Sequence, residues 1–258
     1  MIITNYIVSG VGLRFVLVTD LHDLNYGNLV LLIKKQEPDA ILLAGDILER
    51  LEGCDDSAEE WQAKVNGHNL FKEILNRSID ILRNRNLSTT SCGTEFLREV
   101  SVIAPTFYSL GNHEWYFLDE DYSLFKDHGI TVLDNTDVEV IIKGKQIRIG
   151  GLSTRFDMNW LRKYSRKAGY KILLCHHPEY YRKMIMNTEL DTFDLVLGGH
   201  YHGGQWRVFN RAVFVPRIGF MMTNAVGQFG KLIISSGVAN TSSLPRFGNP
   251  CELVVIDT

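Results

Sequence analysis

Residues 14–22, RFVLVTDLH, decide the reading of this chain. Six residues rich in β-branched and aromatic side chains read as a buried strand, which stops at Asp20-Leu21-His22. The same design returns four times: AILLAG (40–45) runs into Asp46, FYSLG (107–111) into Asn112, KILLC (171–175) into His176, and DLVLGG (194–199) into His200. Ligand sites in α/β folds gather beyond the carboxyl ends of strands, where a rigid sheet can hold side chains from distant segments together. Five such endings predict an α/β chain with one composite site.

Outward from these stretches, strands are expected at 2–8, 14–19, 40–44, 102–109, 138–142, 146–150, 171–175, 194–198, 212–215, 231–235 and 252–256. Helices are expected at 27–36, in parts of 57–85, and at 93–99, 120–127, 159–167 and 178–186. Short β-branched runs alternating with longer helical stretches give the α/β class. No fixed-period repeat or low-complexity tract appears. Residues 50–92 stand apart: polar and charged, with Leu70, Phe71, Ile74, Leu75, Ile79 and Leu82 at roughly helical spacing. They read as a helical insertion within a single domain over 1–258, packed on the main body, capping the site or facing lipid.

The 258 residues are 45% hydrophobic and 22% charged, which suits a globular chain and excludes a disordered one. A net charge of −3 gives no global field to recruit nucleic acid or anionic lipid, so no nucleic-acid partner is expected. Cys54, Cys92, Cys175 and Cys251 form no CxxC pair and read as small apolar residues of a reducing compartment. Without a basic-then-apolar leader or an apolar run of about 18–20 residues, the expected location is cytoplasmic. Peripheral membrane contact stays open.

The polar clusters are Asp20-Leu21-His22, Gly45-Asp46, Gly111-Asn112-His113-Glu114, His176-His177 and Gly199-His200-Tyr201-His202-Gly203-Gly204. Singly each is weak, since a strand ending in Asp is commonly a turn or a helix cap. An Asp-x-His pair says more, because alternate residues of an extended segment point the same way and can share an ion. His200 and His202 repeat that spacing. Five of the eight histidines, at 22, 113, 176, 200 and 202, are the candidates these clusters offer, His177 aside. Two carboxylates, one carboxamide and four imidazoles suit divalent transition metals better than magnesium or calcium. Seven donors exceed one ion's needs and fit two ions sharing a carboxylate.

The ordered blocks Asp-x-His, Gly-Asp, Gly-Asn-His-Glu, a later His and Gly-His-x-His resemble the calcineurin-like metallophosphoesterases, over residues 20–202. The tail, GHYHGGQWR and then LIISSGVANTSSLPRFGNPCELVVI, is similar to the bacterial phosphodiesterase branch that includes UDP-2,3-diacylglucosamine pyrophosphatases. The resemblance implies a four-layer fold, two mixed β-sheets in a sandwich flanked by helices. It implies a first metal on Asp20, His22, Asp46 and His202, and a second on Asp46, Asn112, His176 and His200. Manganese is the first expectation for both ions, with iron, zinc or magnesium as alternatives. It further implies phosphodiester or pyrophosphate hydrolysis by a metal-bridging hydroxide, with small-molecule or lipid-linked substrates. The long connection between Asp46 and Asn112 departs from this branch and leaves the substrate-facing surface open.

His113 follows a ligand position and is not needed as one. It is expected to protonate the leaving oxygen or stabilise the transition state, the bland reading being that it orients a ligand. Gln205 and Arg207 are candidate substrate contacts. Arg246 could grip a substrate phosphate bidentately or pack the C-terminal strand. His177 is expected to cap the Pro178 helix, and Tyr201 to point away from the metals. The rival readings are a nucleotide phosphodiesterase or phosphomonoesterase, and a non-catalytic scaffold, which would be expected to have lost ligands.

Overall fold

Strands that are apolar at every position must be covered on both faces, and alternate side chains must then enter different cores. The computed structural model, which describes residues 1–50, 92–208, 211–215, 219–241 and 245–258, obeys this rule. The insertion expected at 50–92 lies outside the described residues, except for its two end residues. The described strands are β1 (Ile2–Ile7), β2 (Arg14–Val18), β3 (Ala40–Ala44), β4 (Thr106–Ser109), β5 (Thr131–Leu133), β6 (Thr136–Ile142), β7 (Lys145–Leu152) and β8 (Tyr170–Cys175). They continue with β9 (Leu195–Gly198), β10 (Trp206–Val208), β11 (Arg211–Val215), β12 (Gly219–Thr223), β13 (Gly227–Phe229), β14 (Leu232–Ile234) and β15 (Glu252–Asp257). Helices are α1 (Leu29–Lys35), α2 (Cys92–Ser101), α3 (Asp119–Asp127), α4 (Met158–Ser165) and the single turn α5 (Pro178–Tyr180), which runs into a π-helical turn at Tyr181–Ile185.

Two six-stranded mixed sheets form, in the orders β1-β15-β2-β3-β4-β5 and β13-β14-β9-β8-β7-β6. In each, the strands that lead into the polar clusters run parallel to one another: β2, β3 and β4 in the first, β8 and β9 in the second. Phe15, Leu17, Leu42 and Ala44 of the first sheet pack against Ile149, Ile172, Leu174 and Leu197 of the second. The alternate residues Val16, Val18, Ile41 and Leu43 face α1, α2 and α3. Leu173, Cys175 and Val196 face α4 and the 178–185 turns. The result is a helix–sheet–sheet–helix stack with mixed sheets, as expected. A small antiparallel sheet, β10-β11-β12, lies beside it.

Several elements differ from the sequence reading. The strand expected at 102–109 begins at Thr106, because α2 continues to Ser101 and Pro105 precedes the ladder. The helix expected at 178–186 is one α-turn followed by a π-turn. β5, β10, β12 and β13 were not expected; three of them are three residues long, too short to show a period. Cys92, Cys175 and Cys251 are free thiols. Among the described residues, no helix is long and apolar enough to cross a membrane.

Candidate metal centre

All five polar clusters emerge at the carboxyl ends of β2, β3, β4, β8 and β9, where the two sheets meet. The turns that follow are unusual. Asp20, His22, Asp46, His200 and His202 have φ of 58°, 56°, 56°, 67° and 49°. Left-handed backbone is disfavoured for residues with a Cβ, and such conformations gather where function over-determines them. Here the left-handed step turns each chain sharply at its strand end. The loops then pair: Asp20 N donates to Gly45 O (3.1 Å), His22 N to Asp46 O (2.9 Å) and Asp23 N to Ile47 O (3.0 Å). Glycines permit the closeness. A Cβ on Gly45 would lie 2.6 Å from His176 Nδ1, one on Gly237 2.7 Å from Asp20 Cβ, and one on Gly111 or Gly199 would collide with the Asp46 or Asp20 carboxylate.

The sequence-predicted ligands converge. Asp20, His22 and His202 each offer a donor atom within 4.8 Å of the others, and so do Asp46, His176 and His200. Asp46 is central. Its Oδ2 lies 3.1 Å from His176 Nε2, 3.6 Å from His22 Nε2 and 4.0 Å from His113 Nε2, while its Oδ1 accepts from His113 N (2.9 Å). His202 Nε2 is 3.5 Å from Asp20 Oδ1. Asn112 sits between Gly111 and His113, both packed on the Asp46 carboxylate. Asp20 Oδ2, His22 Nε2, Asn112 Oδ1 and His176 Nε2 are buried without a hydrogen-bond partner. An unpartnered buried polar atom costs roughly 1–3 kcal/mol, so four in one place need an explanation. Divalent cations supply one, and the donor set fits them.

The second nitrogens fix the tautomers. His176 Nδ1 donates to Ala44 O (2.8 Å), a carbonyl that can only accept, so its neutral ring keeps a lone pair at Nε2. Glu49 does the same for two rings: His22 Nδ1 donates to its Oε1 (2.7 Å) and His113 Nδ1 to its Oε2 (2.9 Å). His202 is arranged differently. Arg246 Nη2 lies 3.3 Å from its Nδ1, and a guanidinium only donates, so His202 must change that contact before its Nε2 can ligate.

Charge balance follows from this packing. Burial disfavours the Asp46 carboxylate, but His176, His113 and His22 outweigh it and hold Asp46 well below the usual range. Burial likewise opposes protonation of His176, yet Asp46 prevails and raises it to about 10. His22 is raised against burial by Glu49, Asp46 and Asp20. Burial pushes His113 down, His202 down to about 3, and His200 well below the ordinary value. Cations at the His22 and His176 nitrogens must therefore displace protons. Both groups have raised pKa values, so their protons compete most in acid. Apparent metal affinity should rise with pH up to about pH 10, where the His176 proton is lost. Calorimetric Mn²⁺ titration in buffers of different ionisation enthalpy checks this; pH-independent binding without proton release would contradict it.

Three contributors escaped sequence reasoning. Glu49 lies between the Gly45-Asp46 cluster and the 50–92 stretch, outside both. Glu114 is buried and accepts from the backbone N–H groups of Asp46 (2.8 Å), Leu48 (3.0 Å) and Gly111 (2.6 Å), tying the Asp46 and Asn112 loops together. Burial and Asp46 push Glu114 up to about 7. Glu179 lies 3.2 Å from His177 Nδ1 and 3.8 Å from His200 Nε2. The expectation for His177 is corrected: it occupies the N-cap position without a side-chain cap, and its Nε2 lies 3.0 Å from Thr154 Oγ1.

The remaining candidates are accounted for by position. Arg246 donates to Ser236 O (2.7 Å) and to Ala239 O. Gln205 is buried, with Nε2 donating to Asn240 Oδ1 (3.2 Å). Arg207 Nη1 is 3.5 Å from Asn249 Oδ1. Asn249 in turn holds the His202–Gly204 turn by donating to His202 O (2.6 Å). Tyr201 is buried in the core of the second sheet.

A family model described as calcineurin-like phosphoesterase matches residues 13–204. The chain is 32% identical over 160 residues to the uncharacterized metallophosphoesterase Cj0846 of Campylobacter jejuni, a match covering 59% of this chain and 41% of that protein. It is 32% identical over 108 residues to the uncharacterized protein YpbG of Bacillus subtilis, covering 40% of each. It is 28% identical over 179 residues to phosphodiesterase YaeI of Escherichia coli, covering 67% of this chain and 52% of that one. The chain thus spans about half, or less, of the length of these relatives.

Proposed function

This chain belongs to the calcineurin-like phosphoesterase family, and from that premise we propose that it is a two-metal phosphoester hydrolase acting on phosphodiester or pyrophosphate bonds. The observation that carries the proposal is the convergence of buried, unpartnered Asp20 Oδ2, His22 Nε2, Asn112 Oδ1 and His176 Nε2 around Asp46. Asp20, His22, Asp46 and His202 would hold one ion. Asp46, Asn112, His176 and His200 would hold the other, with Asp46 shared and manganese the favoured metal. Bound there, the ions would supply Lewis acidity, activating water near neutral pH and offsetting charge on the phosphoryl oxygens.

The chain's own groups do the rest. Glu49 fixes the His113 proton at Nδ1 and so aims Nε2 at the cluster. A protonated His113 donates from Nε2 to the leaving oxygen, and burial makes it a stronger acid than a free imidazole. Glu114 keeps the Asp46 and Asn112 loops in register. Residues 50–92 are read as an insertion, in keeping with Asp23 accepting from both Glu49 N (2.8 Å) and Gly93 N (2.9 Å) and so tying its two ends together.

Exposed Trp206, Val208 and Phe247, adjoining the His202–Arg246 contact, offer an apolar shoulder suited to a lipid-linked substrate. A screen with added Mn²⁺ tests the reading. It should span bis(p-nitrophenyl) phosphate, nucleotide diphosphate sugars, lipid-linked pyrophosphates, cyclic nucleotides and phosphomonoesters. Chelator-sensitive turnover of a diester or pyrophosphate is expected. Turnover of monoesters alone, or of nothing, would overturn it.

A further inference from the structure

Just past the carboxyl end of β7 stands a cation that the hydrolytic machinery does not use. Arg155 is exposed, and its guanidinium carbon lies 5.0 Å from the centroid of the Trp115 ring. The two come from different sheets. Trp115 follows His113-Glu114 on the loop after β4, and Arg155 follows Ser153-Thr154 at the carboxyl end of β7. β7 pairs in parallel with β8, whose end delivers His176. Thr154 Oγ1 lies 3.0 Å from His177 Nε2, and the His177 ring centroid is 4.2 Å from that of His200. The Arg155–Trp115 pair therefore spans the two sheets at the same end as the metal centre.

The backbone beneath it is held firmly. Asn135 Nδ2 donates to Arg155 O (2.9 Å), and Ser153 Oγ donates to Asp134 Oδ1 (2.5 Å). By contrast, no hydrogen bond or ion pair engages the Arg155 side chain among the described residues. Stacking on an indole preorganises a guanidinium and leaves its N–H edge free for a planar oxyanion. We propose that Arg155, seated on Trp115, recognises a second anionic group of the substrate, a further phosphate or a carboxylate beyond the phosphoryl group under attack. This inference rests on the phosphoester reading above and narrows it to substrates with at least two anionic groups.

The test separates the two. Orthophosphate, methylenebisphosphonate and phosphonoacetate are titrated calorimetrically into the Mn²⁺-loaded protein at fixed free Mn²⁺, with wild type, Arg155→Ala and Arg155→Lys compared. Wild type should bind at least one two-anion ligand more tightly than orthophosphate. Arg155→Ala should weaken that ligand about 10- to 100-fold and orthophosphate by less than about threefold. Lysine keeps the charge but not the planar fork, so Arg155→Lys should fall between. Whichever two-anion arm responds identifies phosphate or carboxylate. Equal losses for all three ligands, no loss, or no wild-type preference would overturn the proposal. Absence of chelator-sensitive turnover of every diester and pyrophosphate in the screen above would instead count against the hydrolase reading, while the binding arms still decide on Arg155.

Discussion

Asp46→Asn is expected to lower phosphoester hydrolysis by about 10³-fold or more, at the upper end of what losing a single electrostatic stabiliser costs. The substitution is nearly isosteric, so the fold should survive: an amide oxygen can still accept from His113 N, as Asp46 Oδ1 does at 2.9 Å. What it removes is the negative charge at the centre of the cluster. Asp46 Oδ2 faces His176 Nε2 at 3.1 Å and His22 Nε2 at 3.6 Å, and an amide nitrogen there could neither ligate nor offset two cations. Metal content should fall from about two equivalents per chain to one or fewer, because the shared donor serves both positions. Plasma mass spectrometry on the purified variant, with kcat/KM for bis(p-nitrophenyl) phosphate, checks both expectations. Wild-type metal content with activity within tenfold would remove Asp46 from the role of bridge.

His113→Ala should behave differently. Its Nε2 lies 4.0 Å from Asp46 Oδ2, its ring packs edge-on against His22 with centroids 4.4 Å apart, and its other nitrogen is held by Glu49 at 2.9 Å. Both metals should therefore stay, while the rate falls about 10²- to 10⁴-fold, the range for loss of a positioned acid or base. A leaving group that needs a proton suffers most. The loss should be small for p-nitrophenolate and large for an alkoxide, so a series of aryl and alkyl esters should show a steeper dependence on leaving-group basicity in the variant. A uniform loss across the series would make His113 a transition-state stabiliser rather than an acid. Loss of a metal would make it a ligand or the support of one.

Much of this centre was legible because its signals are local. Each polar cluster follows an apolar run directly, and Asp-x-His, Gly-Asp, Gly-Asn-His-Glu and Gly-His-x-His need only a few consecutive residues to be read. The parts that stayed hidden depend on contacts between loops. Glu49 lies three residues past Asp46 in sequence, but it reaches His22 and His113 only because the Asp20 and Asp46 loops turn left-handed and pair. Glu179 looked like part of a helix start, and its partner His177 like a cap. Only the packing of the β7 and β9 ends brings Thr154 and His200 against them. Arg246 left two readings open in the sequence, a phosphate clamp or a support for the C-terminal strand, and its donor contacts to the carbonyls of Ser236 and Ala239 accord with the second. The short strands β5, β10 and β13 carry too few residues to declare themselves by alternation.

The most direct measurement is anomalous diffraction from crystals of the Mn²⁺-loaded protein. Two peaks roughly 3.5–4 Å apart are expected, one within reach of Asp20, His22 and His202, the other of Asn112, His176 and His200, with Asp46 between them. A single peak held by His177, Glu179 and His200, or peaks away from Asp46 altogether, would contradict the account.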